Sequence, residues 1–161
     1  MKNLSIILAF LTTLSSALSA KDFYKGLDAW SDGNFDIAVT EWRLSANSGD
    51  PKSQFFLGSS YYNGQGVVQD YNKAVKWWRI AAKQGHVAAQ FSLGHLAKNG
   101  QGVMQANTVA YMWYNIALTN GAAIAGQYGD ELAKKMTTEA IDSAHAMARE
   151  CINSNYESCG Y

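Results

Sequence analysis

A repeat of 36 residues is the feature of this chain that most constrains its fold. When residues 38–73 are aligned with residues 74–109, 16 of the 36 positions carry the same amino acid. The longest shared run, Asn-Gly-Gln-Gly-Val, occupies residues 63–67 and 99–103. A period of this length is typical of proteins built from stacked units, in which each unit buries its apolar face only against its neighbours.

Each repeat is predicted to form two helices joined by a glycine loop. Residues 53–62 and 71–84 carry apolar side chains at helical spacing, without the alternation of a strand. Gly85 is placed where a left-handed residue commonly ends a helix. Gly58 and Gly94 fall inside helices, where glycine costs about 1 kcal/mol relative to alanine. We therefore expect a close approach of the paired helix at both glycines.

The C-terminal part of the chain departs from the repeat. The register continues into a third copy as far as Gly121 and fails from Ala122 onward. Residues 130–136 and 138–152 are predicted to form two further helices, and Thr137 is the expected N-cap of the second. Terminal elements of atypical sequence are what a stack of helices needs to cover its last apolar face.

The first full copy contains a recognisable set of residues at fixed positions. They are Gln54, Leu57, Gly58, Tyr61, Gly64, Gly66, Val67, Asp70, Lys73, Ala74, Trp77, Ala81, Ala82 and Gly85. This pattern resembles the Sel1-like repeat family, a branch of the tetratricopeptide-like helical solenoids, and the chain is similar to its secreted bacterial members. The resemblance implies an all-α solenoid of stacked antiparallel helix pairs with a C-terminal capping helix. The second copy has Ala97, Ala106 and Val109 in place of the Tyr, Asp and Lys of the pattern, which suggests a degenerate or terminal repeat.

The N-terminus has the features of a cleaved secretory signal peptide. Lys2 supplies a positive charge, residues 4–14 form an apolar core, and a stretch of small residues ends at Ala20. The apolar core is too short to span a membrane, which takes about 20 residues. No cysteine follows the core, so a lipoprotein anchor is not expected. We predict cleavage within three residues of Ala20 and a periplasmic or secreted protein without a membrane anchor.

Four segments follow from these patterns. They are a signal peptide at residues 1–20, a tetratricopeptide-like helix pair at 21–49, two Sel1-like repeats at 50–121, and capping helices with a disulfide-pinned tail at 122–161.

The charges and motifs argue against several classes of function. The 13 basic and 13 acidic residues balance, and no run of Lys or Arg offers a surface for nucleic acid or an anionic membrane. The histidines His86, His95 and His145 lack the spacing of metal ligands. The Gly-x-Gly loops follow helices and lack the third glycine of a nucleotide-binding loop. Since no nucleophile motif occurs either, we expect no enzyme, no catalytic residues, no metal and no cofactor.

The only two cysteines are Cys151 and Cys159. In an oxidising compartment such a pair is expected to form one disulfide, here pinning the tail to the last helix. A loop this short gains about 2–3 kcal/mol in the chain-entropy model. Two free thiols are the alternative, while the Cys-x-x-Cys spacing of a redox site is absent.

The resemblance implies an interaction module that binds a protein or peptide along the concave face of its first helices. Helical spacing places on that face Lys52, Phe55, Ser59, Tyr62, Phe91, His95 and Lys98. Several of these positions differ between copies where the core positions agree. Phe55 and Phe91 are kept in both copies, which favours a role as binding anchors. The alternative is that both rings are buried against the neighbouring helix pair.

A second hypothesis is an envelope-acting enzyme or enzyme inhibitor, hydrolase-like or β-lactam-binding, with its site in the same groove. A converging set of His, Glu and Ser side chains would favour the enzyme. Scattered aromatic and polar side chains would favour binding.

Overall fold

The computed structural model describes residues 22–159, and within this range the chain forms eight helices and no strand. The helices are α1 (22–31), α2 (Phe35–Asn47), α3 (Pro51–Asn63), α4 (Tyr71–Lys83), α5 (Val87–Asn99), α6 (Asn107–Thr119), α7 (Ala123–Ala133) and α8 (Thr138–Asn153). Helices α3 and α4 pack as one antiparallel pair and α5 and α6 as the next, while α7 and α8 both pack against α6. The predicted all-α solenoid is confirmed. The predicted signal peptide lies outside the described residues. None of the described helices has the length and hydropathy that a membrane span requires.

The helix boundaries follow the 36-residue period of the sequence. The second helices of the pairs, α2, α4 and α6, have 13 residues each and begin at Phe35, Tyr71 and Asn107. The first helices α3 and α5 also have 13 residues each and begin at Pro51 and Val87. The period in the sequence is therefore a period of the architecture.

This period extends one helix further than the sequence predicts. Helix α7 begins at Ala123, in register with Val87 of the preceding copy. The helix predicted over residues 130–136 is wrong in its bounds, because α7 covers Ala123–Ala133. The residues that α7 buries, Ala125, Gly129 and Leu132, occupy the positions of three buried residues of α5, although the sequence pattern itself fails from Ala122.

Contact between a glycine and an aromatic ring holds each repeat pair together. A Cβ atom added at Gly58 of α3 would lie 2.5 Å from Cδ1 of Trp78 in α4. A Cβ atom at Gly94 of α5 would lie 2.7 Å from Cδ1 of Tyr114 in α6. The close approach expected at these two glycines is therefore present, and it explains why glycine is used inside both helices.

The N-terminal pair uses the same contact with a shorter connection. Gly26 of α1 lies against the indole of Trp42 in α2, which is fully buried. Residues 32–34 connect these two helices, whereas residues 64–70 connect α3 and α4. The glycine and its ring are four residues closer in sequence than in the next pair, so the shorter connection preserves the packing.

The aromatic residue at this position also reaches the backbone of its partner helix. The indole N–H of Trp42 donates to the carbonyl of Phe23 at 3.3 Å, and that of Trp78 donates to Phe55 at 2.9 Å. Tyr114 replaces tryptophan in the third copy, and its buried hydroxyl has no hydrogen-bond partner among the described residues. Burial, with a smaller contribution from a neighbouring tyrosine, raises the pKa of Tyr114 to about 12. The third copy thus keeps the ring packing and loses the hydrogen bond.

The Gly-x-Gly loop packs each repeat onto the preceding pair. Gly66 has φ +70° and lies against the carbonyl of Phe35, at the start of α2. Gly102 has φ +68°, and a Cβ atom there would lie 2.7 Å from the carbonyl of Tyr71 at the start of α4. Any side chain at either glycine would collide with backbone in a conformation that already disfavours it. The loop therefore has a structural role in stacking.

The loop keeps its conformation in the second copy despite the lost pattern residues. In the first copy the amide of Asp70 donates to the carbonyl of Tyr61 at 2.9 Å. The equivalent amide of Ala106 donates to Ala97 at 3.0 Å. The carboxylate of Asp70 additionally accepts from the amide of Lys73, whereas α6 begins without a side-chain cap. What the substitution removes is a helix cap, and the loop itself is unchanged.

Buried amide side chains connect one helix pair to the next. The side-chain N–H₂ of Gln54 donates to the carbonyl of Ala46 at 3.1 Å, and its oxygen accepts from Gln84 at 2.8 Å. The same chain of bonds recurs in the next copy, between Gln90, Ala82 and Asn120. Buried amides are costly unless they are paired, so these bonds fix the register of stacking.

The C-terminal tail folds back over the second helices of the stack. Cys151 of α8 and Cys159 are joined by a disulfide. Two residues of the loop that this disulfide closes make further contacts. Lys83 of α4 pairs with Glu157 at 2.6 Å, and Asn120 donates to the hydroxyl of Tyr156 at 3.1 Å. The expected pinning of the tail to the last helix is thus extended by contacts with α4 and with the residue that ends α6.

Replacing Gly58 with alanine should destabilise the fold. The new methyl group would overlap the ring of Trp78, and overpacking of this kind typically costs about 1–3 kcal/mol. Gly129→Ala in α7 is the matched control, because the nearest atom would be 3.8 Å from the new Cβ. That control should be neutral or more stable by up to about 1 kcal/mol. Urea unfolding of both variants measures the difference, and equal stability of the two would contradict the glycine–ring contact.

Candidate binding groove

A groove of about 320 Å³ lies on one face of the stack. It lies between α3, α5 and α7, with one ring of α4 at its floor. The residues that line it are Ser59, Tyr62, Asn63, Trp78, Phe91, Ser92, His95 and Tyr128. Four of these side chains are aromatic and none is acidic or a primary amine.

The structure brings four of the seven predicted binding residues together in this groove. They are Ser59, Tyr62, Phe91 and His95. The other three predicted residues, Lys52, Phe55 and Lys98, do not line it.

Each of these three residues has a different position. The ammonium of Lys52 lies 5.7 Å from the centre of the Phe23 ring, towards the N-terminal pair. The ammonium of Lys98 lies 5.8 Å from the centre of the Tyr128 ring, at the edge of the groove. Phe55 is covered by the imidazole of His86, the N-cap residue of α5. The seven residues predicted to share one binding face therefore do not form a single continuous surface.

The two phenylalanines that the repeat aligns have different neighbours. Phe55 stacks on the imidazole of His86, with ring centres 4.8 Å apart and planes 22° apart. Phe91 contacts Tyr114 at 5.5 Å and Tyr128 edge-on at 5.1 Å, and one side of its ring faces the groove. Both rings are half-buried. Of the two, only Phe91 is placed to contact a ligand in the groove.

The polar side chains of the groove are bonded to their own or neighbouring helices. The hydroxyl of Ser59 donates to the carbonyl of Phe55 at 3.0 Å. The side-chain amide of Asn99 lies 2.9 Å from Nε2 of His95. Burial, together with the positive charge of Lys98, lowers the pKa of His95, so the ring is neutral at pH 7 and can accept this bond. The groove thus offers neutral hydrogen-bonding groups beside aromatic surfaces.

The side chains show no arrangement for proton transfer in the part of the chain that is described. No hydrogen bond joins a groove serine to His95, and no carboxylate lines the groove. Among residues 22–159, no three His, Cys, Asp or Glu side chains are grouped so that they could hold a metal ion. The arrangement suits recognition of a ligand by contact.

Four lining residues are missing from the predicted set. They are Asn63, Trp78, Ser92 and Tyr128. Tyr128 was missed because the boundaries predicted for α7 excluded it. Its position follows from the period, since it is two repeats after Phe56 and one after Ser92. Trp78 is buried and still lines the groove; because it belongs to α4, the spacing of residues along the first helices does not predict it.

His86 makes the stability of the stack sensitive to acid. It caps α5 by accepting, at Nδ1, a hydrogen bond from the amide of Ala89 at 3.3 Å. Burial lowers its pKa from 6.5; the charge of Lys52 also lowers it, and that of Asp50 opposes the shift. The folded state binds the proton of His86 less readily than the unfolded state does. The contribution of His86 to the free energy of unfolding is therefore fully present above pH 6.5 and is lost as the pH falls through the lowered pKa.

Replacing His86 with asparagine should flatten this acid dependence. Asparagine retains a cap acceptor and does not titrate. The variant loses the ring that stacks on Phe55, so we expect lower stability at neutral pH and a smaller loss between about pH 7.5 and pH 5. Urea unfolding at both pH values measures this slope. An equal acid loss in the variant and the unsubstituted protein would show that His86 is not its source.

Stacked antiparallel helix pairs, a fixed period and a groove along the first helices define an α/α-solenoid repeat protein. Residues 51–86 and 87–121 match the family model of the Sel1 repeat. The chain carries two Sel1 repeats and has the Sel1-like repeat (SLR) fold.

Two solved structures show the extent of the likeness. One is c5321, a protective antigen of uropathogenic Escherichia coli with an SLR fold, which matches with a TM-score of 0.80 and 27% identity over 86% of this chain and 31% of that chain. Another is a Sel1 repeat protein from Oxalobacter formigenes, with a TM-score of 0.62 and 32% identity over 66% of this chain and 44% of that chain. The chain spans less than half the length of either protein. A comparison with curated proteins gave no match.

Sel1 repeat proteins generally act as protein-interaction modules, and their fold is typically a non-catalytic scaffold.

Proposed function

We propose that this protein is an exported interaction module of the bacterial envelope that binds a partner protein or peptide in the groove between α3, α5 and α7. The observation that carries the proposal is the lining of that groove. Aromatic and neutral polar side chains from three successive first helices converge on one concave surface.

The composition of the groove is that of a recognition surface. Aromatic residues are enriched in the centres of protein interfaces, where they supply most of the binding free energy. A volume of about 320 Å³ is at the lower end of ligand pockets, which suits one or two side chains of a partner segment. The hydroxyl and amide groups around it would fix the orientation of that segment.

The groove side chains give the enzyme hypothesis less support. An enzyme site would bring His, Glu and Ser side chains together. The groove contains two serines and one histidine, which are Ser59, Ser92 and His95, and no glutamate of the described residues lines it. The Ser59 hydroxyl is directed to a backbone carbonyl, and His95 is engaged by Asn99. Scattered aromatic and polar residues favour binding, and we therefore place binding first.

Crosslinking from inside the groove tests the binding proposal. A photoreactive amino acid at His95 should give discrete crosslinked products in intact cells, and Ser59→Arg in the same protein should abolish them by filling the groove. The matched controls are the same photoreactive residue at Ser143, which is exposed on α8, and the substitution Ser143→Arg. Products formed from position 143 alone, or products at position 95 that Ser59→Arg leaves unchanged, would contradict the groove assignment.

Export is supported by the charged, apolar and small-residue segments of residues 1–20 and by the disulfide between Cys151 and Cys159. We expect the intact mass of the protein purified from the periplasm or medium to begin at Lys21, or within three residues of it. The mass should also be lower than that of the reduced chain by two hydrogen atoms, which disulfide formation removes. A full-length chain found only in the cytosol would contradict export.

A further inference from the structure

A second cavity, of about 550 Å³, adjoins the groove. Tyr128 lines both, and the second cavity lies between the end of α5, the loop that follows it and α7. Most of the residues that line it have polar side chains, among them Lys98, Gln105, Asn107, Glu131 and Lys135. A segment bound along the first helices would pass from the groove, which is aromatic, into this second cavity, where most of the side chains are polar.

The charges of the second cavity are unbalanced. Its one acidic residue, Glu131, is paired with Lys134 at 2.6 Å, and Asp130 also lies near that lysine. Lys98 and Lys135 are close enough to Glu131 to lower the pKa of its carboxyl further, after the larger effect of Lys134. Within residues 22–159, neither Lys98 nor Lys135 forms an ion pair. Two ammonium groups are therefore available to a ligand.

The junction of the two cavities is also cationic. The ammonium of Lys98 lies over the ring of Tyr128, the residue that the two cavities share. This contact holds the charge at the mouth of the groove, where it would meet the part of a ligand that leaves the groove. The groove itself contains no acidic side chain that could repel a carboxylate.

We propose that the partner presents an extended peptide segment with one large apolar side chain next to two or more Asp or Glu residues. The apolar side chain would occupy the groove of Tyr62, Trp78 and Phe91, and the carboxylates would lie against Lys98 and Lys135. This proposal rests on the proposed function and specifies the chemistry of its partner. A nucleic acid would need a longer basic surface than two lysines on a chain of zero net charge.

Selection from a random peptide library tests this inference. Phage displaying peptides of about twelve residues, a length that spans both cavities when extended, are selected on the disulfide-bonded mature protein. We expect enriched peptides to combine an aromatic or large aliphatic residue with adjacent Asp or Glu. Changing Lys98 and Lys135 together to Glu should weaken binding of a synthetic enriched peptide about tenfold or more, and added salt should weaken it in the unsubstituted protein.

A single charge reversal elsewhere on the surface and a groove variant separate the possible outcomes. Lys76→Glu alters an exposed lysine of α4 that lines neither cavity, and it should leave binding within about twofold. Some peptides could lose binding to the Ser59→Arg variant and yet lack acidic residues, or bind equally well after both lysines are changed to Glu. Either result would overturn this inference and leave the proposed function standing. If no peptide is enriched, or if Ser59→Arg has no effect on those that are, both proposals fail.

Discussion

The contact between a first-helix glycine and a second-helix aromatic ring is the interaction on which the rest of the structure depends. It lets two helices approach closely at Gly58 and Trp78, and again at Gly94 and Tyr114. The ring of Trp78 packs against Gly58 and also lines the groove between the first helices. Trp78 thus locks its pair and also forms the floor of the groove. Because the same residue serves packing and groove, the shape of the groove is set by the core and does not require loops.

Stacking of the pairs depends on a second interaction, which is polar and buried. Gln54 and Gln90 each bridge the end of the preceding pair and the end of their own pair. Apolar packing alone would tolerate small shifts between pairs, whereas paired amides in a dry interior do not. At the C-terminal end Gly126 stands where the next glutamine would be. Tyr156 of the disulfide-bonded tail accepts from Asn120 there, so the tail contributes to closing the stack.

Against this fixed frame, the groove positions vary from copy to copy. Ser59 corresponds to His95, and Tyr62 corresponds to Lys98. The variation distinguishes the groove, which is lined by aromatic and neutral groups, from the cavity beside it, whose lining includes two lysines. A repeat that keeps its core and changes its groove can acquire specificity without loss of stability.

The sequence by itself determined the fold class and the helix pairs, together with the glycine loops and the residues of the core. It did so because these features depend on contacts that recur every 36 residues, so their residues repeat as well. It failed at α7, where Gly126, Gly129 and Asp130 replace the Gln, Leu and Gly of the pattern although the buried positions keep the register.

Which members of the predicted stripe form one groove was decided only by the tertiary structure. Phe55 and Phe91 are equivalent in sequence, but His86 stacks on the first, and Ala122 is the residue at the corresponding place beside the second. An alanine has no ring to cover its neighbour, and one side of the Phe91 ring faces the groove. Exposure of a side chain depends on neighbours from other helices, and the spacing of residues along a single helix does not specify them.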